Sequence, residues 1–311
     1  MFDNVVVGVD GCDGGGDAVT LSRRLLARGG QLTLAHVYSG DAHTRTWAPK
    51  EHDLVKREGI AEMLEAASKE AGLEQAGLRW REASSVGRGL HELCEVIDAD
   101  LLVVGSSRRG LLGRVLLGDD THAALNGAPC AIAVAPAGYA GQPGAIREVG
   151  VAYDGSPESE HALTVARTLG AEHGAKLSAL EAVSLPGYAL VGGGAPVGDA
   201  INRLVEDARA RIAALDGVEP HAVYGTPAEE LALYSASLDL LVVGSRGYGP
   251  LGRLIHGSTS QELARTARCP LLVLTRSAPT RSTADEHELA STTTDLQSAQ
   301  PSTPPVDTPE R

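Results

Sequence analysis

Aromatic residues are scarce in this chain, at 3% of 311 residues with a single Phe. A core must therefore be assembled from Val, Leu, Ile and Ala. No uninterrupted apolar run reaches the ~18 residues of a membrane-spanning helix, so an integral helical membrane protein is not expected. Positive charge is also in short supply: 27 Lys and Arg stand against 40 Asp and Glu, a formal net charge of -13. A general nucleic-acid binder needs a basic face, so that class is excluded. Any phosphate bound here must be held by local donors rather than by a global field. The four cysteines, Cys12, Cys94, Cys130 and Cys269, form no CxxC pair, and no Cys/His cluster has zinc spacing. They read as reduced core or turn residues. Met1-Phe2-Asp3-Asn4 runs straight into an apolar strand pattern with no secretory leader, which points to a cytoplasmic protein.

The length suggests two domains, and the chain repeats itself. Val5–Gly11 matches Val149–Gly155, and Gln31–Val37 resembles Lys176–Ala182. Val86-Gly87 is paired with Tyr224-Gly225, Asp100–Ser106 with Asp239–Ser245, and Ala128–Val134 with Ala267–Val273. Each half reads as five strands alternating with four helices, the pattern of an α/β parallel sheet covered on both faces. The strands are expected near 4–10, 31–38, 78–85, 100–106 and 130–135, then near 147–154, 176–183, 219–224, 239–245 and 270–275. The predicted organisation is a first domain over 1–137, a flexible Gly/Pro-rich linker over 138–146, a second domain over 147–276 and a Ser/Thr/Pro-rich disordered tail over 277–311. A Gly/Pro patch, Gly192–Pro196, reads as an inserted flap.

The segment from Val243 to Ser260 carries the functional signal. An apolar strand ends at Gly244, a glycine-rich loop follows, and Gly257-Ser258-Thr259-Ser260 opens a helix. Glycines let backbone N–H groups approach an anion, and a helix start supplies oriented donors. In a five-stranded parallel sheet ordered 3-2-1-4-5, ligands bind beyond the carboxyl ends of strands 1 and 4, where the order reverses. Asp154 and Gly244 stand at those ends. Gly244, Gly247 and Gly249 would shape the loop, Gly257 would admit a phosphate, and Ser258, Thr259 and Ser260 would donate to it. Arg246 would add charge, Asp154 would hold a ribose hydroxyl or a magnesium ion, and Ala182 would offer backbone groups to a base. Ala152 and Ser245 complete the candidate set at the strand ends. Taken singly, these residues also suit ordinary turns and N-caps; the function rests on their combination. The P-loop pattern fails because Asp17 stands where lysine is needed. A GxGxxG match at Gly247–Gly252 follows the wrong strand for a dinucleotide fold.

With Gly244-x-x-Gly247, nine residues, then Gly257-Ser258, and an Asp154-Gly155-Ser156 loop after the first strand, residues 1–276 resemble the universal stress protein family of tandem-domain type. The resemblance implies an adenine nucleotide alpha hydrolase-like fold, ATP binding with Mg2+ and a regulatory role in stress or dormancy responses, not rapid catalysis. It leaves open slow ATP hydrolysis, with His256 beside Gly257, and a nucleotide-independent interaction scaffold. An unidentified protein partner, a homodimer, and pairing of the halves through Ile132–Val134 and Leu271–Val273 are further expectations. The first half departs from the motif: Arg108 replaces Gly247, while Asp119 and Asp120 replace Ser258 and Thr259. Two unit charges ~4 Å apart repel by about 4 kcal/mol at an effective dielectric of 20, half of the ~8 kcal/mol that micromolar binding represents. Arg108 and Arg109 would offset part of this. The weaker candidates there are Gly8, Asp10, Val37, Gly105 and Gly118, and one competent site is expected rather than two.

Overall fold

Short runs such as Leu101-Leu102-Val103-Val104-Gly105 and Leu240-Leu241-Val242-Val243-Gly244 are apolar at every position, so both of their faces must be covered. The computed structural model describes residues 1–39, 50–106, 119–141, 144–184, 197–245 and 258–275. The first half comprises β1 (Phe2–Gly8), α1 (Asp13–Leu25), β2 (Leu26–Ser39), α2 (Lys50–Glu70), β3 (Gly77–Ala83), α3 (Val86–Val96), β4 (Leu101–Gly105), α4 (Asp119–Leu125) and β5 (Ala131–Ala135). The second comprises β6 (Glu148–Ala152), α5 (Pro157–His173), β7 (Lys176–Val183), α6 (Val197–Ala213), β8 (Glu219–Tyr224), α7 (Pro227–Tyr234), β9 (Leu240–Gly244), α8 (Ser258–Thr266) and β10 (Leu271–Leu274). The expected flap at Gly192–Pro196 and the tail from Ser277 lie outside the described residues.

The strands form one ten-stranded sheet ordered β3-β2-β1-β4-β5-β10-β9-β6-β7-β8. Each half is therefore 3-2-1-4-5, all parallel, and the halves meet through an antiparallel β5–β10 ladder with Val134 opposite Leu271 and Ile132 opposite Val273. Ala133 faces Leu272 at the centre. These two residues hold the same place in the repeat, so a pseudo-twofold axis passes through that rung. His122 and Gln261, likewise equivalent, meet at 2.9 Å between α4 and α8. On the opposite face, His173 Nε2–H donates to the Arg24 carbonyl at 2.8 Å.

Both apolar clusters span the two halves. One lies under α1, α2, α5 and α6 and includes Leu21, Leu64, Leu169 and Ile212. The other lies under α3, α4, α7 and α8 and includes Leu90, Leu125, Leu231 and Leu263. The start of each half is held by one aspartate at the foot of its fourth strand. Asp100 accepts the Asp3 and Asn4 N–H groups at 2.7 and 3.0 Å. Asp239 accepts those of Arg147 and Glu148 at 2.8 and 3.0 Å.

Three expectations need correction. The second strand begins at Leu26, not near 31, because the Gly29-Gly30 pair, with Gly29 at φ 85°, accommodates a register shift between Phe2 and Asn4. The pairing of Val86-Gly87 with Tyr224-Gly225 is out of step. The N-caps Ser85 and Thr226 align instead, placing Gly87 opposite Ala228. A Cβ on Gly87 would come within 2.3 Å of the Ala123 backbone, so its glycine serves the contact between α3 and α4. Nor is the start of the linker a free tether. The buried Asp17 carboxylate accepts the Gly138 and Ala140 N–H groups at 2.8 and 2.7 Å, and Tyr139 packs against the apolar cluster beneath α1.

Hydrogen bonds to a charged group contribute about 1.5–3 kcal/mol each, and orphaned buried donors add a cost. We expect Asp17→Ala to lower unfolding stability by about 3 kcal/mol in urea titration and to speed proteolytic cleavage near residue 140. Asp17→Asn, which keeps one acceptor oxygen, should lose less.

Candidate functional site

Strands β6 and β9 are neighbours, paired at Val149–Leu240, Gly150–Leu241 and Val151–Val242. Beyond them the chain departs to opposite faces: α5 packs in one apolar cluster through Ala162 and Leu163, and α8 in the other through Leu263 and Ala264. This divergence opens a crevice at the carboxyl ends of the two strands. The ends of β1 and β4 repeat it in the first half.

The loop after β6 is built by local hydrogen bonds. Strand β6 ends at Ala152, two residues before the expected limit, but Tyr153 still donates its N–H to Leu180 at 3.1 Å. Asp154 Oδ1 accepts the Ser156 N–H at 3.1 Å, and Gly155 turns with φ 73°. Ser156 then caps α5 by accepting the Ser159 N–H at 3.3 Å, with Pro157 in the first turn. The first half forms the same turn, with Asp10 Oδ1 accepting the Cys12 N–H at 3.0 Å and Gly11 at φ 76°. Cys12 makes no side-chain cap to α1. Asp154 and Asp10 are exposed at the mouths of the two crevices.

Gly244 has a structural reason that its place in a motif does not reveal. A Cβ there would lie 2.4 Å from the Glu158 carbonyl oxygen in the first turn of α5. Gly105 stands 2.1 Å by the same measure from the Gly14 carbonyl oxygen in α1. In both halves the glycine lets the helix that follows the first strand cross the end of the fourth. Ser245 is buried and donates its N–H to Leu274 at 3.1 Å, as Ser106 does to Ala135 at 2.9 Å. The Ser245 amide is therefore committed to the sheet.

Ala152 and Asp154 thus meet Gly244 and Ser245 at adjacent strand ends. Ala182 lies one strand further out, opposite Val223. Ser258, Thr259 and Ser260 form the first turn of α8, with Ser260 buried. In the first half, Thr121, equivalent to Ser260, donates its hydroxyl to the Gly105 carbonyl at 3.0 Å and ties α4 to the end of β4. Gly8 is the last residue of β1, and Val37 pairs with Arg81 in the outer part of the sheet. Arg246, Gly247, Gly249, His256, Gly257, Arg108, Arg109 and Gly118 lie outside the described residues.

The sequence reading missed a polar cluster beside the second crevice. Glu181, buried in β7, receives a two-pronged hydrogen bond from Arg211 of α6, Nε to Oε2 at 3.3 Å and Nη2 to Oε1 at 2.5 Å. The pair holds the Arg211 guanidinium above its ordinary pKa. Tyr153 donates its hydroxyl to Glu160, binding the end of β6 to α5. Burial, then the Glu160 carboxylate, pushes the Tyr153 phenol up to about 12. The available signal was an acidic residue in the run Leu177–Val183, otherwise apolar but for Ser178. In the first half His36 takes that place, and its Nδ1–H donates to the Val9 carbonyl at 2.7 Å.

A doubled 3-2-1-4-5 sheet whose strand order reverses once in each half defines a tandem, doubly wound α/β protein. The sequence model of the universal stress protein family matches residues 1–136 and again 145–275. A universal stress protein of Mycobacterium tuberculosis is 31% identical over 303 residues, spanning 88% of this chain and 97% of the relative. One from Thermus aquaticus is 37% identical over 134 residues, covering 40% of this chain and 95% of its own. Among solved structures, a universal stress protein from Archaeoglobus fulgidus superposes with a TM-score of 0.60 at 17% identity, over 88% of this chain and 98% of its own. The chain belongs to the universal stress protein family. No helix among the described residues is long and apolar enough to cross a membrane.

Two outcomes follow. Gly244→Ala should destabilise the fold by about 1–3 kcal/mol through overpacking against Glu158, measurable by denaturant unfolding with or without ligand. Because the folded state holds the Tyr153 proton more tightly than the unfolded chain, its stabilising share is complete below about pH 10 and is lost as pH rises towards about 12. Tyr153→Phe should therefore flatten the fall in thermal midpoint across that alkaline window.

Proposed function

We propose that this protein is an ATP-binding regulator of stress or dormancy responses, with its main nucleotide site in the second half. The observation that carries the reading is the difference between two copies of one crevice. In the second half the full glycine spacing ends in Ser258, and the first turn of α8 carries no acidic residue. In the first half α4 opens with Asp119-Asp120. Serine and threonine hydroxyls with helix-start N–H groups suit phosphate oxygens, whereas two carboxylates repel them.

In this reading the Ser258–Ser260 turn and the loop before it hold the phosphates. Asp154 faces them across the crevice, where it takes a ribose hydroxyl or joins magnesium. Among the described residues no three His, Cys, Asp or Glu side chains converge. Magnesium would therefore be held by Asp154 together with phosphate oxygens and water, an ordinary arrangement for this ion. The ion would neutralise phosphate charge, and this chain's residues would bind and orient the nucleotide. Backbone groups at Ala182 and Ala152 would border the base and ribose. Occupancy would shift loop order or dimer contacts, and partner proteins would read that state.

Titration calorimetry with Mg-ATP should give one strong site per chain, and two equivalent sites would sink the asymmetry. Gly257→Asp should weaken binding at least 100-fold with little change in thermal midpoint; normal binding by that variant would refute the assignment. The double change Asp119→Ser with Asp120→Thr should strengthen binding in the first half.

A further inference from the structure

The pseudo-twofold axis at Ala133 and Leu272 also brings the two halves together above the sheet. A residue beside such an axis meets its own equivalent from the other half, and His122 meets Gln261 at 2.9 Å in this way. His122 is the fourth residue of α4 and Gln261 the fourth of α8. The contact therefore joins the opening turns of the two helices rather than their distal ends, and Gln261 directly follows Ser258-Thr259-Ser260. The Gln261 side-chain nitrogen only donates, so His122 Nε2 accepts. Both side chains are half-buried, where a hydrogen bond is stronger than in open water. The α4 side of the contact is fixed from a second direction. Thr121, the neighbour of His122, donates its hydroxyl to the Gly105 carbonyl at 3.0 Å. Further along, Ala124 and Leu125 of α4 and Leu263 and Ala264 of α8 belong to one apolar cluster. The opening turn of α8 thus rests against a support that belongs to the other half.

We propose that the first half regulates the nucleotide site of the second through this contact, with His122 as a positioning residue for the opening turn of α8. The inference rests on the reading of Ser258–Ser260 as the phosphate-binding turn. Helix-start N–H groups are directional donors, so their hold on a phosphate depends on how the turn is aimed. Gln261 sits on that turn, and a turn held at Gln261 is held at its donors. Without the contact, part of the binding energy goes into ordering the turn. Coupling of this kind is reciprocal. If the His122 contact favours binding, bound nucleotide favours the contact by the same factor and steadies α4 in the first half. The Asp119-Asp120 start of α4 does not stand in the way of this task. The first half need not bind nucleotide to set how firmly the second half does.

The test uses the full chain as wild type, His122→Ala, His122→Gln and Gln261→Ala. Calorimetry with Mg-ATP should show about fivefold weaker binding in His122→Ala. His122→Gln gives both halves the same residue, and its amide oxygen again accepts from Gln261, so affinity should return to near the wild-type value. Hydrogen exchange followed by mass spectrometry supplies a readout that a merely structural role would not move. Mg-ATP, at a concentration that fills the strong site alone, should slow exchange in the α4 peptide of the wild type as well as in the α8 peptide. In Gln261→Ala it should slow α8 alone. Unchanged affinity in His122→Ala, no recovery in His122→Gln, or wild-type α4 exchange indifferent to Mg-ATP would each overturn the coupling and leave the nucleotide reading in place. Equal slowing of α4 in Gln261→Ala would also sink it, because the signal would then travel by another route. A wild-type chain that binds no Mg-ATP would instead remove the nucleotide reading, and this regulation with it.

Discussion

The antiparallel ladder between β5 and β10 is the contact on which the rest of the structure depends. Within each half every strand pairing is parallel, and a parallel sheet tolerates no exposed face. At the seam a twofold relation between two copies of one unit requires the strands to run in opposite directions, and Ala133 opposite Leu272 lies on that axis. Both strands are buried along their whole length. Their side chains are complementary in size: Ala131-Ile132-Ala133-Val134-Ala135 is alanine-rich where Leu271-Leu272-Val273-Leu274 is leucine-rich. The seam therefore fills as one core, and both apolar clusters run across it. His122 with Gln261 and His173 with Arg24 complete the joint on its two faces.

This joint leaves the strand ends free to differ. Gly105 and Gly244 are retained because a helix crosses each of them, whatever else binds there. Asp10 and Asp154 are retained with the same turn. Other positions, buried ones among them, differ between the halves. His36 stands where the second half has Glu181 with its Arg211 partner, Cys94 where it has Ser235, and Asp119-Asp120 where it has Ser258-Thr259. The frame is thus held by backbone contacts that admit little change, while the two halves carry different side chains on it.

Much of the architecture was legible before any coordinates. Wholly apolar five-residue runs name the buried parallel strands, Asp-Gly pairs mark where the first strands turn into helices, and the repeat shows two copies of one unit, while the 3-2-1-4-5 order belongs to the fold that the family resemblance implies. Less was legible of the polar contacts. Asp17 looked only like a residue that spoils a phosphate loop, because the amides it binds at Gly138 and Ala140 lie at the far end of the half. The Val86-Gly87 match was misplaced because two glycines near helix starts were paired by type, while the contact that requires Gly87 is with the Ala123 backbone.

By itself the sequence determined the α/β class, the duplication and the imbalance between the two copies of the glycine-rich segment, since these follow from hydrophobic period, glycine spacing and charge. Tertiary structure alone decided which glycines serve helix crossings, which carboxylates are buried against partners, and that the linker begins docked. Each of these depends on atoms brought together from distant parts of the chain, and a linear pattern carries no information about what lies across from it.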